Sequence, residues 1–181
     1  MNVIDTYIDS NSSKNSPSIV FGMGCFWGAE RKFWGINGVS ATAVGYSGGN
    51  TSNPTYEEVC TGQTGHAEVV KIIYDSDILN LNNLLKIFWE SHDPTQLNRQ
   101  GNDVGTQYRS VIYVNLPEEM ELIKKSMTKF QFILDKNELG KIKTEINILK
   151  KFYMAEEYHQ KYLHKNPNGY CGLQGLNLEY S

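Results

Sequence analysis

The chain has 181 residues, 17 Lys and Arg against 20 Asp and Glu, and a net charge of −3, a length that suits one domain burying roughly two-thirds of its unfolded surface. No basic run tracks a phosphate backbone, which excludes nucleic acid as an expected partner, and no stretch nears the ~18 uninterrupted apolar residues of a membrane span. The opening MNVIDTYIDSNSSKNSP is polar with no apolar signal core, so a cytoplasmic protein is expected.

Residues 1–17, rich in Ser and Asn and closed by Pro17, read as an irregular arm, with one domain over 18–181. Ser18 to Met23 is a short apolar run ahead of a glycine-flanked cysteine. Phe26 and Phe33, like Trp27 and Trp34, then recur at seven-residue spacing, which predicts strand, sharp turn and helix. Val39 to Tyr46 predicts a second strand, broken by the glycines of YSGGN. Thr55 to Cys60 suits a short helix, and His66 to Tyr74 a strand that puts Glu68, Val70, Ile72 and Tyr74 on one face. Ile78, Leu81, Leu85 and Phe88 predict another helix, capped by Asp77 or Ser76. After a long polar loop, Ser110 to Val114 is β-branched and apolar, and Pro117 is expected to open a long helix at its first position. Ile142 to Leu149 alternates as a strand does, and KFYMAEEYHQKYLHKN predicts a last helix ahead of a tail over about 165–181. The order β, α, β, β, α, β, then α and β predicts an α+β two-layer sandwich: a ferredoxin-like βαββαβ core with additional helices, a strand and a long C-terminal tail.

Cys25, Cys60 and Cys171 are too scattered for a zinc knuckle and too few for a disulfide scaffold, so neither a metal nor a bound cofactor is expected. In a reducing compartment, a disulfide among them would be transient. Cys25 sits where a strand turns into a helix, and the unpaired N–H groups of a first helical turn favour thiolate, which predicts a lowered pKa. The plainer reading is a buried cysteine beside Phe26 and Trp27. Those two rings, with glycines at 22, 24 and 28, can wall an apolar pocket beside the sulfur, while Phe33 and Trp34 suit core packing. Glu68 on an apolar face would keep its proton and could donate it near neutral pH; the competing reading is a glutamate at a sheet edge, in water. His66 is a base or ligand by type and a strand-end histidine by position. Tyr56 and Tyr108 adjoin loops, Asp103 suits a turn cap, and Cys60 reads as a buried structural thiol. Cys171 lies in a glycine-rich tail able to carry a second thiol to the first.

GCFWGAE, GYSGG, NPTYEEVC, TGHAEVV, NDVGTQYRS and YHQKYLHKNPNGYC, spread from about residue 20 to residue 172, together resemble the signature segments of the A-type peptide methionine sulfoxide reductases. The resemblance implies a protein-repair enzyme of oxidative stress, which reduces the S epimer of methionine sulfoxide, free or in oxidised proteins. It implies Cys25 as nucleophile, Glu68 as proton donor, and Tyr56 and Tyr108 as hydrogen-bond donors to the sulfoxide oxygen. Phe26 and Trp27 would hold the substrate methyl, Asp103 would fix the substrate backbone, and Cys171 would resolve the Cys25 sulfenic acid into a disulfide reduced by thioredoxin, or by dithiothreitol in vitro. Some family members carry two cysteines in the tail, whereas nothing after Cys171 is a cysteine here, which implies a single-step relay. A monomer is expected. Two other readings stay open: a Cys25/His66 acyl-transfer hydrolase, and a non-catalytic module that binds a methyl or thioether group on a peptide.

Overall fold

A computed structural model describes residues 16–181; of the expected arm over 1–17, all but Ser16 and Pro17 lie outside the described residues. The chain enters as β1 (Ser18–Met23), buried after its first residue. Gly24 then turns the backbone with φ +97°, and a Cβ there would stand 2.8 Å from the Gln100 side chain, so both conformation and space demand glycine. α1 (Phe26–Arg31) follows at once, shorter than the aromatic repeat predicts.

β2 (Val39–Ser47) leads to α2 (Tyr56–Cys60), where Thr55 and Glu58 form a reciprocal capping box. β3 (Ala67–Tyr74) is next, then α3 (Leu81–Ser91). α3 starts later than the apolar spacing predicts: Asn80, not Asp77 or Ser76, caps it by accepting the Asn83 amide at 3.0 Å. The cause is a turn in which Leu79 N–H donates to the Asp75 carbonyl, leaving Ile78 55% exposed. Two-residue strands β4 (Arg99–Gln100) and β5 (Asp103–Val104) pair within the stretch expected to be loop.

β6 (Ser110–Val114) precedes α4 (Glu119–Lys136), whose cap is Glu118. Pro117 therefore lies ahead of the helix rather than in its first position, its carbonyl accepting from Met120 N at 3.1 Å. β7 (Glu145–Ile148) is shorter than expected. The predicted last helix is the largest correction: it is β8 (Phe152–Met154), a 3-10 turn over Glu157–His159, and the one-turn α5 (Tyr162–Lys165). Helical spacing loses here because Phe152, Tyr153 and Met154 pair with the free edge of β2, and because Lys161 takes φ +52°, which breaks any continuous helix.

Apart from the β4–β5 pair, the strands form one sheet in the order β7-β6-β1-β3-β2-β8, antiparallel except for β6 with β7. The result is a mixed α and β protein with α1, α3 and α4 on one face, burying Phe21, Phe33, Phe88, Trp89 and Phe130 beneath them. On the other face, Val20, Val69, Val111 and Tyr113 are covered by Leu149, just after β7, and Phe152, the first residue of β8. Coverage on both sides explains why β3 reads AEVVKIIY, nearly unbroken in apolar character. No helix among the described residues is long and apolar enough to cross a membrane.

Candidate active site

Cys25 caps α1 at the C-terminal end of β1, and Glu68 stands near the start of β3, the antiparallel neighbour of β1. Glu68 is 2% exposed, and its Oε2 accepts the Phe26 amide proton at 3.0 Å. The carboxyl is thus tied to the peptide that adjoins the nucleophile candidate. Burial pushes its pKa up to about 8, the Phe26 amide opposes, and Asp103 adds to the rise. The sheet-edge alternative fails, since β2 and β1 flank β3 on its two sides.

The thiol behaves differently from the helix-terminus expectation. Burial first, and the Glu68 charge second, push Cys25 up to about 12, while the Trp27 and Gly28 amides pull it down. The first-turn amides do act on the sulfur, but desolvation outweighs them in so short a helix. At neutral pH the unliganded site therefore holds a thiol beside a carboxylic acid, both neutral.

Tyr108 ends the 3-10 turn Thr106–Tyr108, and Tyr56 opens α2. Both phenols are raised, first by burial, with the Glu68 charge among the further causes. The Cys60 thiol, one turn along α2, adds to the rise at Tyr56. Cys60 itself is exposed rather than buried, because it is the last residue of α2 and only Val59 of that helix turns inward.

Phe26 is buried against Tyr46 and His159, with ring centroids 5.8 and 5.0 Å away. Trp27 is half-buried; it stacks on Tyr162 at 3.8 Å and 13°, and its indole N–H donates to His159 Nδ1 at 3.0 Å. That bond needs a neutral imidazole with its proton on Nε2, and burial lowers the His159 pKa accordingly. Asp103, on β5, receives the Tyr170 hydroxyl at 3.3 Å from both carboxylate oxygens. Cys171 lies against the same helical turn as Cys25: a Cβ built on Gly28 would stand 2.9 Å from its Sγ. All three thiols are free.

His159, Tyr162 and Tyr170 escape the sequence reading. YHQKYLHKN looks like helix, and the available signal is only that its His and Tyr residues crowd next to the cysteine-bearing tail. His66, by contrast, is occupied: Nδ1 accepts from the Gly49 amide at 3.0 Å and Nε2 bonds the Thr51 carbonyl at 2.8 Å. Among the described residues no group of three or more His, Cys, Asp or Glu is placed to hold a metal.

A half-buried cysteine at a strand-to-helix turn, a buried carboxylic acid bonded to the next amide, and a second thiol on the same turn define a thiol-centred site. Residues 17–178 match the family model described as peptide methionine sulfoxide reductase, and the chain belongs to that family of oxidoreductases. Peptide methionine sulfoxide reductase MsrA of Photobacterium profundum is 56% identical over 96% of this chain and 82% of its own length. Methionine sulfoxide reductase A of Corynebacterium diphtheriae superposes with a TM-score of 0.85 at 45% identity, covering 89% of this chain and 80% of that one. Mxr1 of Saccharomyces cerevisiae, solved in complex with Trx2, shares the fold at a TM-score of 0.56 and 21% identity over 88% and 91% of the two chains.

Proposed function

We propose that this chain reduces the S epimer of methionine sulfoxide, free or within oxidised proteins, to methionine, with Cys25 as nucleophile and thioredoxin as final reductant. The observation that carries the reading is the buried Glu68 carboxyl, held protonated to about pH 8 and bonded to the amide that follows Cys25. A sulfoxide sulfur is a poor electrophile until its oxygen is protonated. Glu68 gives a proton to that oxygen as the Cys25 sulfur attacks, and recovers one from the thiol, so the pair acts as a unit.

The step balances as thiol plus sulfoxide giving sulfenic acid plus thioether: oxygen moves from the substrate sulfur to Cys25 carrying the Glu68 proton, and the thiol proton restores Glu68. Tyr56 and Tyr108 donate to the oxygen as it gains charge, in the manner of an oxyanion hole. Phe26 and Trp27 take the methyl group, and Asp103 accepts from the substrate backbone. With oxygen, methyl and chain directions all assigned, one epimer fits. The Cys171 thiol then attacks the Cys25 sulfenic acid, forming a disulfide and releasing water, and a dithiol clears it by exchange. The complex of yeast Mxr1 with Trx2 supports thioredoxin in that part; dithiothreitol serves in vitro.

The same reading makes 18–181 one catalytic domain, monomeric and cytoplasmic. The order β6-β1-β3-β2, crossed by α1 and α3, supports calling its centre ferredoxin-like. The acyl-transfer reading requires a free imidazole, and both His66 nitrogens are engaged. A peptide-binding module would form no sulfenic acid.

Exposure of the reduced chain to one equivalent of a methionine sulfoxide peptide, without reductant, is expected to release one methionine and lower the free thiols by two. An unchanged thiol count overturns the proposal. Cys25→Ser is expected to abolish turnover, and wild-type reduction by that variant would remove the nucleophile assignment.

A further inference from the structure

We infer that Gly28 is the seat on which the two sulfurs meet, a positioning residue for disulfide formation. The inference rests on the reading of Cys171 as the resolving thiol. Gly28 lies in the first turn of α1 and is buried. It is absent from the glycines with positive φ, so backbone freedom does not explain it, and glycine is a poor helix former. Something other than chain geometry requires a residue without a side chain.

Its surroundings supply that reason. Gly28 stands in the first turn of the helix that Cys25 caps, while its bare Cα lies under the tail, where a Cβ would meet Cys171 Sγ at 2.9 Å and Leu173 Cβ at 3.1 Å. One turn of α1 therefore carries the first thiol at its cap and seats the second where a methyl is missing. Carbon and larger atoms sit comfortably at about 3.5–4.0 Å, so a methyl there would push the Cys171 sulfur back by about 0.5–1 Å. A disulfide needs the two Cβ atoms within about 3.5–4.5 Å and a narrow dihedral range, a tolerance that such a shift consumes.

The step at stake is attack of the Cys171 sulfur on the Cys25 sulfur of the sulfenic acid. The S–S bond forms, the S–O bond breaks, and hydroxide leaves with the thiol proton as water. Gly28→Ala keeps the turn that Cys25 caps and strengthens the helix, so it alters the seat of the second thiol alone.

The test is a quenched single turnover with a methionine sulfoxide peptide, reading methionine, dimedone-trapped sulfenic acid and the Cys25–Cys171 disulfide. Gly28→Ala is expected to yield one methionine per chain, to accumulate sulfenic acid, and to form the disulfide on the order of tenfold to a hundredfold more slowly than wild type. Thioredoxin-driven cycling should fall by the same factor, and dithiothreitol, which attacks the sulfenic acid directly, should restore much of it. A wild-type disulfide rate in Gly28→Ala, or loss of its methionine burst, overturns the inference. Cys171→Ser run in parallel distinguishes the two claims. Failure of sulfenic acid to accumulate there sinks the resolving role and this inference with it; accumulation there beside a wild-type disulfide rate in Gly28→Ala sinks the seat alone.

Discussion

The sheet-borne half of the site and the half brought by residues 155–181 are held in place by different forces. Glu68 pairs with Tyr46 in the β2–β3 ladder, and Cys25 follows directly on β1, whose residues are locked between β3 and β6. Position there comes from many backbone bonds at once, so no single side chain is indispensable to it. Beyond β8 the chain is instead stapled by a few side chains. The Gln160 amide takes both the N–H and the carbonyl of Val44. Buried Glu30 accepts from the Lys161 amide and the Thr42 hydroxyl, each at 2.9 Å, with the Lys161 ammonium 3.4 Å away. At the far end, the Tyr180 amide reaches Glu90 at 2.7 Å and its hydroxyl reaches Ser126 at 2.9 Å. The proposed acid is built into the ladder and the proposed nucleophile adjoins it; the proposed second thiol hangs between two sets of staples.

Substitution on the sheet side should give the largest effect on chemistry. Glu68→Gln is expected to slow methionine release in a single turnover by about 10²–10⁴, with little change in the substrate concentration needed. The same variant tests the burial of the carboxyl. Folded Glu68 holds its proton to about pH 8, whereas its ordinary value is 4.5, so the protonated group favours the folded state at low pH and that contribution is lost as pH rises through 8. Thermal melts should therefore show Glu68→Gln more stable than wild type at pH 9, with the advantage gone near pH 4. Wild-type first-step rate should fall as pH climbs past about 8; a rate still rising there would argue against the acid role.

On the stapled side, effects on stability should exceed effects on the first step. Glu30→Ala strands the Lys161 amide and Thr42 hydroxyl and leaves Lys161 without its buried partner, for an expected loss of about 2–4 kcal/mol in urea unfolding. Glu30→Gln should recover part of it, because its amide oxygen can still accept from Lys161. Smallest of all, Tyr180→Phe removes only the hydroxyl bond to Ser126, about 1 kcal/mol. Limited proteolysis should then cut the tail sooner, while the methionine burst persists. Equal loss of burst and tail protection would mean that the two halves are not held separately.

β1, β2, β3 and β6 were legible because their apolar runs are local patterns, and each became buried sheet. The segment after Lys150 was not, because helical spacing and pairing with the β2 edge compete, and only the presence of that edge decides between them. Cys60 misled for a similar reason: a short helix can bury Val59 and leave its last residue in water. The thiol of Cys25 is the sharpest case. A helix terminus predicts a lowered pKa, whereas the extent of desolvation and the nearness of Glu68 across 43 positions of chain reverse the sign.

What the amino-acid order determined by itself was the family, through six motifs in sequence, and the candidate groups for its chemistry, since those depend on side-chain type and local turn signals. Distances across the chain were left to the tertiary structure: that Glu68 bonds the amide beside Cys25, that His159 orients Trp27, and that Cys171 rests on Gly28. Burial and contact between residues far apart in sequence arise only when the sheet closes and the tail folds back over it, and they set the protonation of the site as much as its shape.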